Sequence, residues 1–193
     1  MARPYTMKAR AEKQAETRRR IVDAAVELHG TVGPARTTAS MVAERAGVQR
    51  HTYYAHFPDE RSLLLACSGA HAERDPAPDP EAWRAIDDRG KRLRAGLAEL
   101  YGWYARNAEM FACVLRDAEQ DPLVREIVEM RIAPGLAASH AVLTEGLDDD
   151  QRALLQVMMG FHAWRTLAQD CGVDAAKAVE LAATAVECGG GRR

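Results

Sequence analysis

Apolar residues recur at helical spacing along almost the whole chain, and no stretch reads as a β-strand. That pattern confines the fold to packed helices. Thr17 to about Val32 sets Ile21, Ala24, Ala25 and Leu28 on one face, and Gly33-Pro34 ends the helix. A short helix from Ala39 to about Ala46 follows Thr38, whose hydroxyl suits an N-cap, and turns Met41, Val42 and Ala46 inward. Gly47 suits a left-handed turn position in which a side chain would be strained. A second short helix spans about Gln49 to His56. Phe57-Pro58-Asp59 breaks it, and Asp59 caps a longer helix to about Glu73. The segment RDPAPDPEAW, residues 74–83, packs three prolines into five positions and reads as a linker. Beyond it the pattern predicts a helix from Glu81 to Arg106, one capped by Asn107, and one opened by Asp121-Pro122 that should kink or break at Pro134-Gly135. LDDDQ, residues 147–151, puts acids at the positive end of a helix running to about Asp170. Gly172 stops that helix, Asp174 caps the last one to about Cys188, and GGGRR reads as a frayed tail. The expected fold is all-α.

At 193 residues the chain holds one medium domain or two small ones, and its well-mixed charges make it globular rather than disordered. The net charge of −2 conceals an uneven distribution. Residues 1–66 carry 11 Lys and Arg against 7 Asp and Glu, whereas residues 67–193 carry 15 against 21. A basic head on an acidic body implies that only the head meets a polyanion. The expected division is therefore a DNA-binding head with a basic N-terminal arm at 1–66 and an effector-binding and dimerisation body at 67–193. Cys67, Cys113, Cys171 and Cys188 are widely spaced, with no Cys-x-x-Cys pair and no Cys/His cluster at zinc spacing. Reduced thiols in a cytoplasmic protein are expected. A redox sensor would use Cys171 or Cys188. No apolar run follows the N-terminal bases and none reaches membrane-spanning length, so neither a signal peptide nor a membrane partner is expected.

One stretch, ERAGVQRHTYYAHF at residues 44–57, carries the functional signal. A glycine ends one short helix, and the next places Gln, Arg, two His, Thr and two Tyr within eight positions. A core helix would not use so many polar tips. Two short helices with a glycine turn and converging apolar residues describe a helix-turn-helix, in which the exposed start of the second helix enters the major groove of DNA.

The longer stretch TTASMVAERAGVQRHTYYAHFPDERSLLL resembles the tetracycline-repressor (TetR) family of bacterial transcriptional regulators. Thr38, Ala46-Gly47-Val48, Tyr54-Ala55-His56-Phe57 and the helix from Asp59 match the family's pattern, and RRIVDAAVELHGTVG is similar to its first helix. The resemblance covers about residues 17–67. There are departures. His29 stands where a buried aromatic is usual and is expected to be a satisfied core histidine. Pro34 replaces a common aromatic, Gln49 a serine cap, and His51 a frequent glycine. Glu60 occupies a position that is often a phosphate-binding lysine, and Arg61 next to it offers partial compensation.

The resemblance implies roles. Arg50 and His51 would contact bases, with Arg able to bridge guanine O6 and N7. Gln49 would read adenine or cap the helix. Thr38, Thr52, Tyr54, His56 and Arg61 would hold phosphate, which sets register without reading sequence. Tyr53 would pack inward, and Met41, Val42, Val48 and Phe57 would form core. The basic arm would track phosphate or remain solvated, with Arg18 to Arg20 the strongest contributors. In the body, the resemblance implies a homodimer through the last two helices, about Asp149–Asp170 and Asp174–Cys188. A small-molecule effector, mostly apolar, would sit among Trp103, Tyr104, Met110, Phe111, Met130, Met158, Phe161, His162, Trp164 and Arg165, with His162 or Arg165 giving a polar contact. The implied function is a repressor released from palindromic double-stranded operator DNA.

No Ser-His-Asp order stands out, no glycine loop cradles phosphate and no acid pair is marked, so no catalytic residue, cofactor or metal is expected. The alternative to a ligand-responsive regulator is a DNA-binding protein without a small-molecule effector, either architectural or responsive to thiol oxidation.

Overall fold

The computed structural model describes residues 3–190, with side chains from residue 7 onward; the end of the GGGRR segment lies outside the described residues. The described residues form helices joined by turns and contain no strand. The chain divides into two compact units. One holds everything up to Arg74 together with Glu109–Arg131; the other holds Asp75–Ala108 and everything from Ile132 onward. This compactness differs from a simple cut after residue 66, because two helices from the middle of the chain pack with the N-terminal ones.

In the first unit α1 (Arg3–Thr31) is followed by a 3₁₀ turn (Pro34–Arg36), α2 (Ala39–Arg45), α3 (Arg50–His56) and α4 (Glu60–Arg74), with α7 (Ala108–Ala118) and α8 (Pro122–Arg131) added later in the chain. α1 begins well before Thr17. The intervening Met, Lys, Ala, Arg, Glu and Gln are strong helix formers, so nothing halts the helix in that direction. Ile21, Ala25, Leu28, Val42, Phe57 and Leu63 form a buried core that also takes in Val124 and Ile127 of α8. Asp121 opens α8 as expected, its carboxylate accepting from the Leu123 and Val124 amides at 2.8 and 3.2 Å. The turn after α1 is pinned from α7: the buried Asp117 carboxylate accepts from the Ala35 amide at 3.0 Å, and Arg116 donates to the Val32 carbonyl at 3.0 Å. Gly33 has φ 97, and a Cβ there would lie 2.3 Å from Asp117 Oδ2, so glycine is required by conformation and by space.

The second unit holds α5 (Glu81–Arg84), α6 (Arg89–Arg106), α9 (Ala133–Leu143), α10 (Asp149–Met158), α11 (Phe161–Arg165) and α12 (Ala175–Cys188). Three sequence expectations are corrected here. The helix expected from Glu81 to Arg106 is two helices, because Asp88 caps a new start by accepting from the Lys91 amide at 2.7 Å. Asn107 does not cap a following helix with its oxygen. It closes α6, and its side-chain N–H donates to Asp75 at 2.6 Å and to the Trp103 carbonyl at 2.9 Å. The helix from Asp149 stops at Met159, restarts after Gly160, and then widens into a π turn (Thr166–Asp170), with the Cys171 amide donating to Thr166 O at 2.9 Å. Other boundaries fall where the sequence puts them. Asp148 and Gln151 form a reciprocal capping box, Asp174 accepts from the Lys177 amide at 3.0 Å, and Gly172 takes φ 65. The helix expected to kink at Pro134-Gly135 breaks at Ile132, since the Pro134 ring excludes a continuous helix.

Candidate nucleic-acid interface

The recognition surface begins at Thr38. Its extended backbone and a hydroxyl that accepts from the Met41 amide at 3.3 Å start α2. Gly47 takes φ 65 and turns the chain between α2 and α3. Gln49 is the N-cap of α3 in extended conformation, but its side chain makes no capping hydrogen bond and stays exposed. That leaves its amide available outward. With seven residues, α3 can bury only one side of two turns, and Tyr53 occupies that side at 4% exposure. The Tyr53 ring packs on Phe57 at 6.2 Å between centroids and meets the Tyr54 ring edge-on at 5.1 Å. Arg18 of α1 lies over the Phe57 ring at 4.6 Å, tying the basic end of α1 to the end of α3.

Burying Tyr53 turns the rest of α3 outward. Arg50, His51 and Tyr54 are exposed, while Thr52 and His56 are half-buried. Arg50 leans along its own helix, its guanidinium 3.5 Å from the Tyr54 hydroxyl and 5.9 Å from the ring centroid. This loose contact holds the guanidinium at the exposed surface without neutralising it. Lys8, Arg10, Lys13 and Arg18 to Arg20 are exposed along α1, so the basic arm is helical over these residues rather than an irregular tail.

Two positions carry electrostatics that local sequence could not reveal. Arg61 is exposed but ion-paired with Glu126 of α8, a contact that raises the guanidinium pKa further and competes with phosphate. Glu60 has its carboxyl pKa raised, first by burial and then by the nearby charge of Asp121, so it sits in an unfavourably acidic place. His29 is 5% exposed with Nδ1 3.3 Å from Cys67 Sγ. Burial lowers its pKa to about 4, with Asp117 opposing, and burial pushes the Cys67 thiol up to about 12. His29 is thus a neutral core group, as its position implies, and Cys67 is no thiolate. Cys171 and Cys188 are exposed.

The ten residues assigned to an effector are divided between the two units. Met110, Phe111 and Met130 belong to the first, where Phe111 is buried, Met110 half-buried and Met130 exposed. The others belong to the second. There Trp103, Tyr104, Phe161 and Trp164 are buried in one aromatic cluster, with centroids 5.4 Å apart for Phe161–Trp164, 5.6 Å for Trp103–Tyr104 and 5.7 Å for Tyr104–Phe161. Met158 is half-buried, and His162 and Arg165 are exposed. The Tyr104 hydroxyl donates to the Met159 carbonyl at 2.9 Å and Tyr101 to the Met158 carbonyl at 2.7 Å. Burial raises both phenols, that of Tyr101 to about 12, so both remain donors at neutral pH. The polar end of Tyr104 is therefore engaged by backbone. On α10 and α12, Val157 and Leu181 are exposed at 58% and 40%, an apolar presentation unusual for helices that otherwise bury their large side chains. Among the described residues no group of three or more His, Cys, Asp or Glu is placed to hold a metal, and no helix is long and apolar enough to cross a membrane.

Residues 21–67 match the family model for bacterial regulatory proteins of the tetR family. No curated protein sequence matches the chain. Solved structures share its fold. A candidate fatty acid metabolism regulator of Clostridium perfringens aligns with a TM-score of 0.66 at 15% identity, covering 90% of this chain and 100% of that one. A candidate tetR-family transcriptional regulator of Mesorhizobium loti aligns at 0.64 and 17%, covering 91% and 95%. The transcriptional regulator FadR of Bacillus subtilis, in complex with stearoyl-CoA, aligns at 0.63 and 19%, covering 89% and 98%.

Proposed function

We propose that this chain, a tetR-family regulatory protein with its DNA-binding domain in residues 21–67, binds a palindromic operator as a homodimer and represses transcription until a small, mostly apolar effector releases it. The observation that carries the reading is α3, which buries Tyr53 and turns Gln49, Arg50, His51 and Tyr54 outward at the end that faces the major groove. Arg50 and His51 read bases, and Gln49, with no capping bond of its own, joins them. Thr38, Thr52, Tyr54 and His56 hold phosphates. Arg61 joins them only after releasing Glu126. A single head reads too few base pairs for selectivity, so two-fold pairing is needed, and exposed Val157 and Leu181 support an interface along the last helices. The effector weakens DNA binding by favouring a dimer whose two recognition helices no longer match successive major grooves, about 34–36 Å apart. A fold of this kind accommodates stearoyl-CoA in the Bacillus subtilis regulator, which supports an apolar class of effector. The protein acts in the cytoplasm.

The test is binding to duplex selected from a random pool, followed by a salt titration. The reading expects a two-fold symmetric motif and an affinity that falls steeply with salt as counterions leave the DNA. Equal binding to scrambled duplex would remove the sequence-specific reading. The close mutual packing of Tyr104, Phe161 and Trp164 favours a second reading, a DNA-binding protein with no small-molecule effector. A thermal-shift screen against apolar small molecules separates the two, because only an effector-binding protein gives a saturable increase in melting temperature.

A further inference from the structure

The first unit contains a cleft of about 400 Å³, within the size range of small-molecule sites. Residues of α1, α2, α3 and α4 line it, among them His29, Thr38, Tyr53, Tyr54, Asp59 and Glu60, while Leu63 and Leu64 supply apolar wall. Its formal charge is of one sign. Asp59 and Glu60 are its acids, no Lys or Arg lines it, and His29 is neutral because burial holds its pKa at about 4. Asp59 already caps α4, accepting from the Ser62 amide at 2.7 Å, but that bond occupies one oxygen only.

A second feature points to an occupant. Tyr53 is 96% buried, being only 4% exposed, yet its hydroxyl has no hydrogen-bond partner among the described residues. The charges of both Glu60 and Asp59 act on that phenol, which places it toward the same carboxylates. A buried hydroxyl left without a partner is costly, and such groups in native proteins call for a missing partner. The Tyr53 and Tyr54 rings stand 85° to each other, giving the cleft an aromatic corner whose faces attract cations. Among the described residues no group of three or more His, Cys, Asp or Glu can hold a metal ion, so the cation this site suits is organic.

We infer that the cleft binds a small organic ammonium ion: Asp59 and Glu60 balance its charge, the Tyr53 hydroxyl accepts its N–H, and its apolar body lies on Leu63 and Leu64. A cation held there lies beside Thr38 and Tyr54, at a surface proposed to face phosphate, and offsets the acids that this surface carries.

The test is calorimetric titration of the full-length protein, without DNA, using benzylammonium chloride and the neutral benzyl alcohol as probes. Benzylammonium is expected to bind one per chain and to saturate in the low-millimolar range, with the alcohol at least about tenfold weaker. Glu60→Gln alone is expected to weaken the ammonium several-fold. Glu60→Gln combined with Asp59→Asn, which keeps a capping side chain, is expected to weaken it at least about tenfold. Tyr53→Phe removes the accepting hydroxyl and leaves the packed ring, and is also expected to weaken binding. The absence of saturable binding, equal binding of the alcohol, or ammonium binding undiminished in Glu60→Gln would overturn the assignment. No duplex enters the titration, so its failure leaves the DNA-binding reading standing, and a failed duplex selection leaves this one standing.

Discussion

Acid should weaken this fold through one residue. His29 lies in the core with its imidazole held neutral: burial lowers its pKa from 6.5 to about 4, and the pull of Asp117 offsets only part of the effect. In the unfolded chain the same imidazole takes up a proton near its ordinary value. The unfolded state therefore binds more protons between those two values. Stability is fully present above about pH 6.5 and is lost as the pH falls toward 4. The shift corresponds to roughly 3 kcal/mol in full, of which about 2 kcal/mol is gone by pH 5. That is a large share of the roughly 5–15 kcal/mol typical of a domain. The measurement is urea unfolding at pH 7.5 and pH 5.0 for the wild type and for His29→Leu, a substitution of similar volume that does not titrate. Other groups titrate in both proteins, so the informative quantity is the difference between the two losses. The contact with Cys67 does not confuse it, because the thiol titrates near 12. The wild type should lose about 2 kcal/mol more than the variant between these pH values. Equal losses would show that His29 is not the neutral buried group described.

Gly33→Ala should destabilise the head by at least about 1–3 kcal/mol, measured by thermal unfolding, because φ 97 and the Asp117 carboxylate both oppose a Cβ. Glu60→Lys should raise affinity for specific and scrambled duplex together and reduce the acidic crowding with Asp121; an unchanged gel shift would place residue 60 away from the phosphate backbone. Val157→Glu with Leu181→Glu should dissociate the proposed dimer in sedimentation while leaving thermal unfolding of the separated chain nearly intact, since both side chains are already exposed within the chain.

Much of the fold was legible because helix ends are local chemistry. Thr38, Asp59, Asp121, Asp148 and Asp174 each cap the helix expected of them, and each bond spans only two or three residues. The recognition helix was legible for a related reason: helical spacing between a glycine turn and a proline decides which side chains one buried tyrosine leaves outside. Where reading failed locally, the signals were present but ambiguous. Asp88 follows another acid within an otherwise helical stretch, Gly160 suits close packing as well as a break, and Asn107 offers an oxygen for one helix and an N–H for another. What stayed hidden depends on residues far apart in the chain. Arg61 meets Glu126, 65 positions away, and Asp117 reaches the Ala35 amide across 82. The cleft is hidden for the same reason, since His29, Tyr53 and Glu60 come together only when three helices pack.

The most direct test of the central claim repeats the selection from random duplexes with Arg50→Ala beside the wild type. Arg50 is exposed at the first position of α3 and held only by a loose contact to Tyr54, so its removal should leave the fold intact. The wild type should return a two-fold symmetric motif. The variant should return the same motif with preference relaxed at one base pair in each half-site, equivalent to roughly 1–3 kcal/mol per contact. An unchanged motif from Arg50→Ala would contradict the assignment of α3 as the element that reads the sequence.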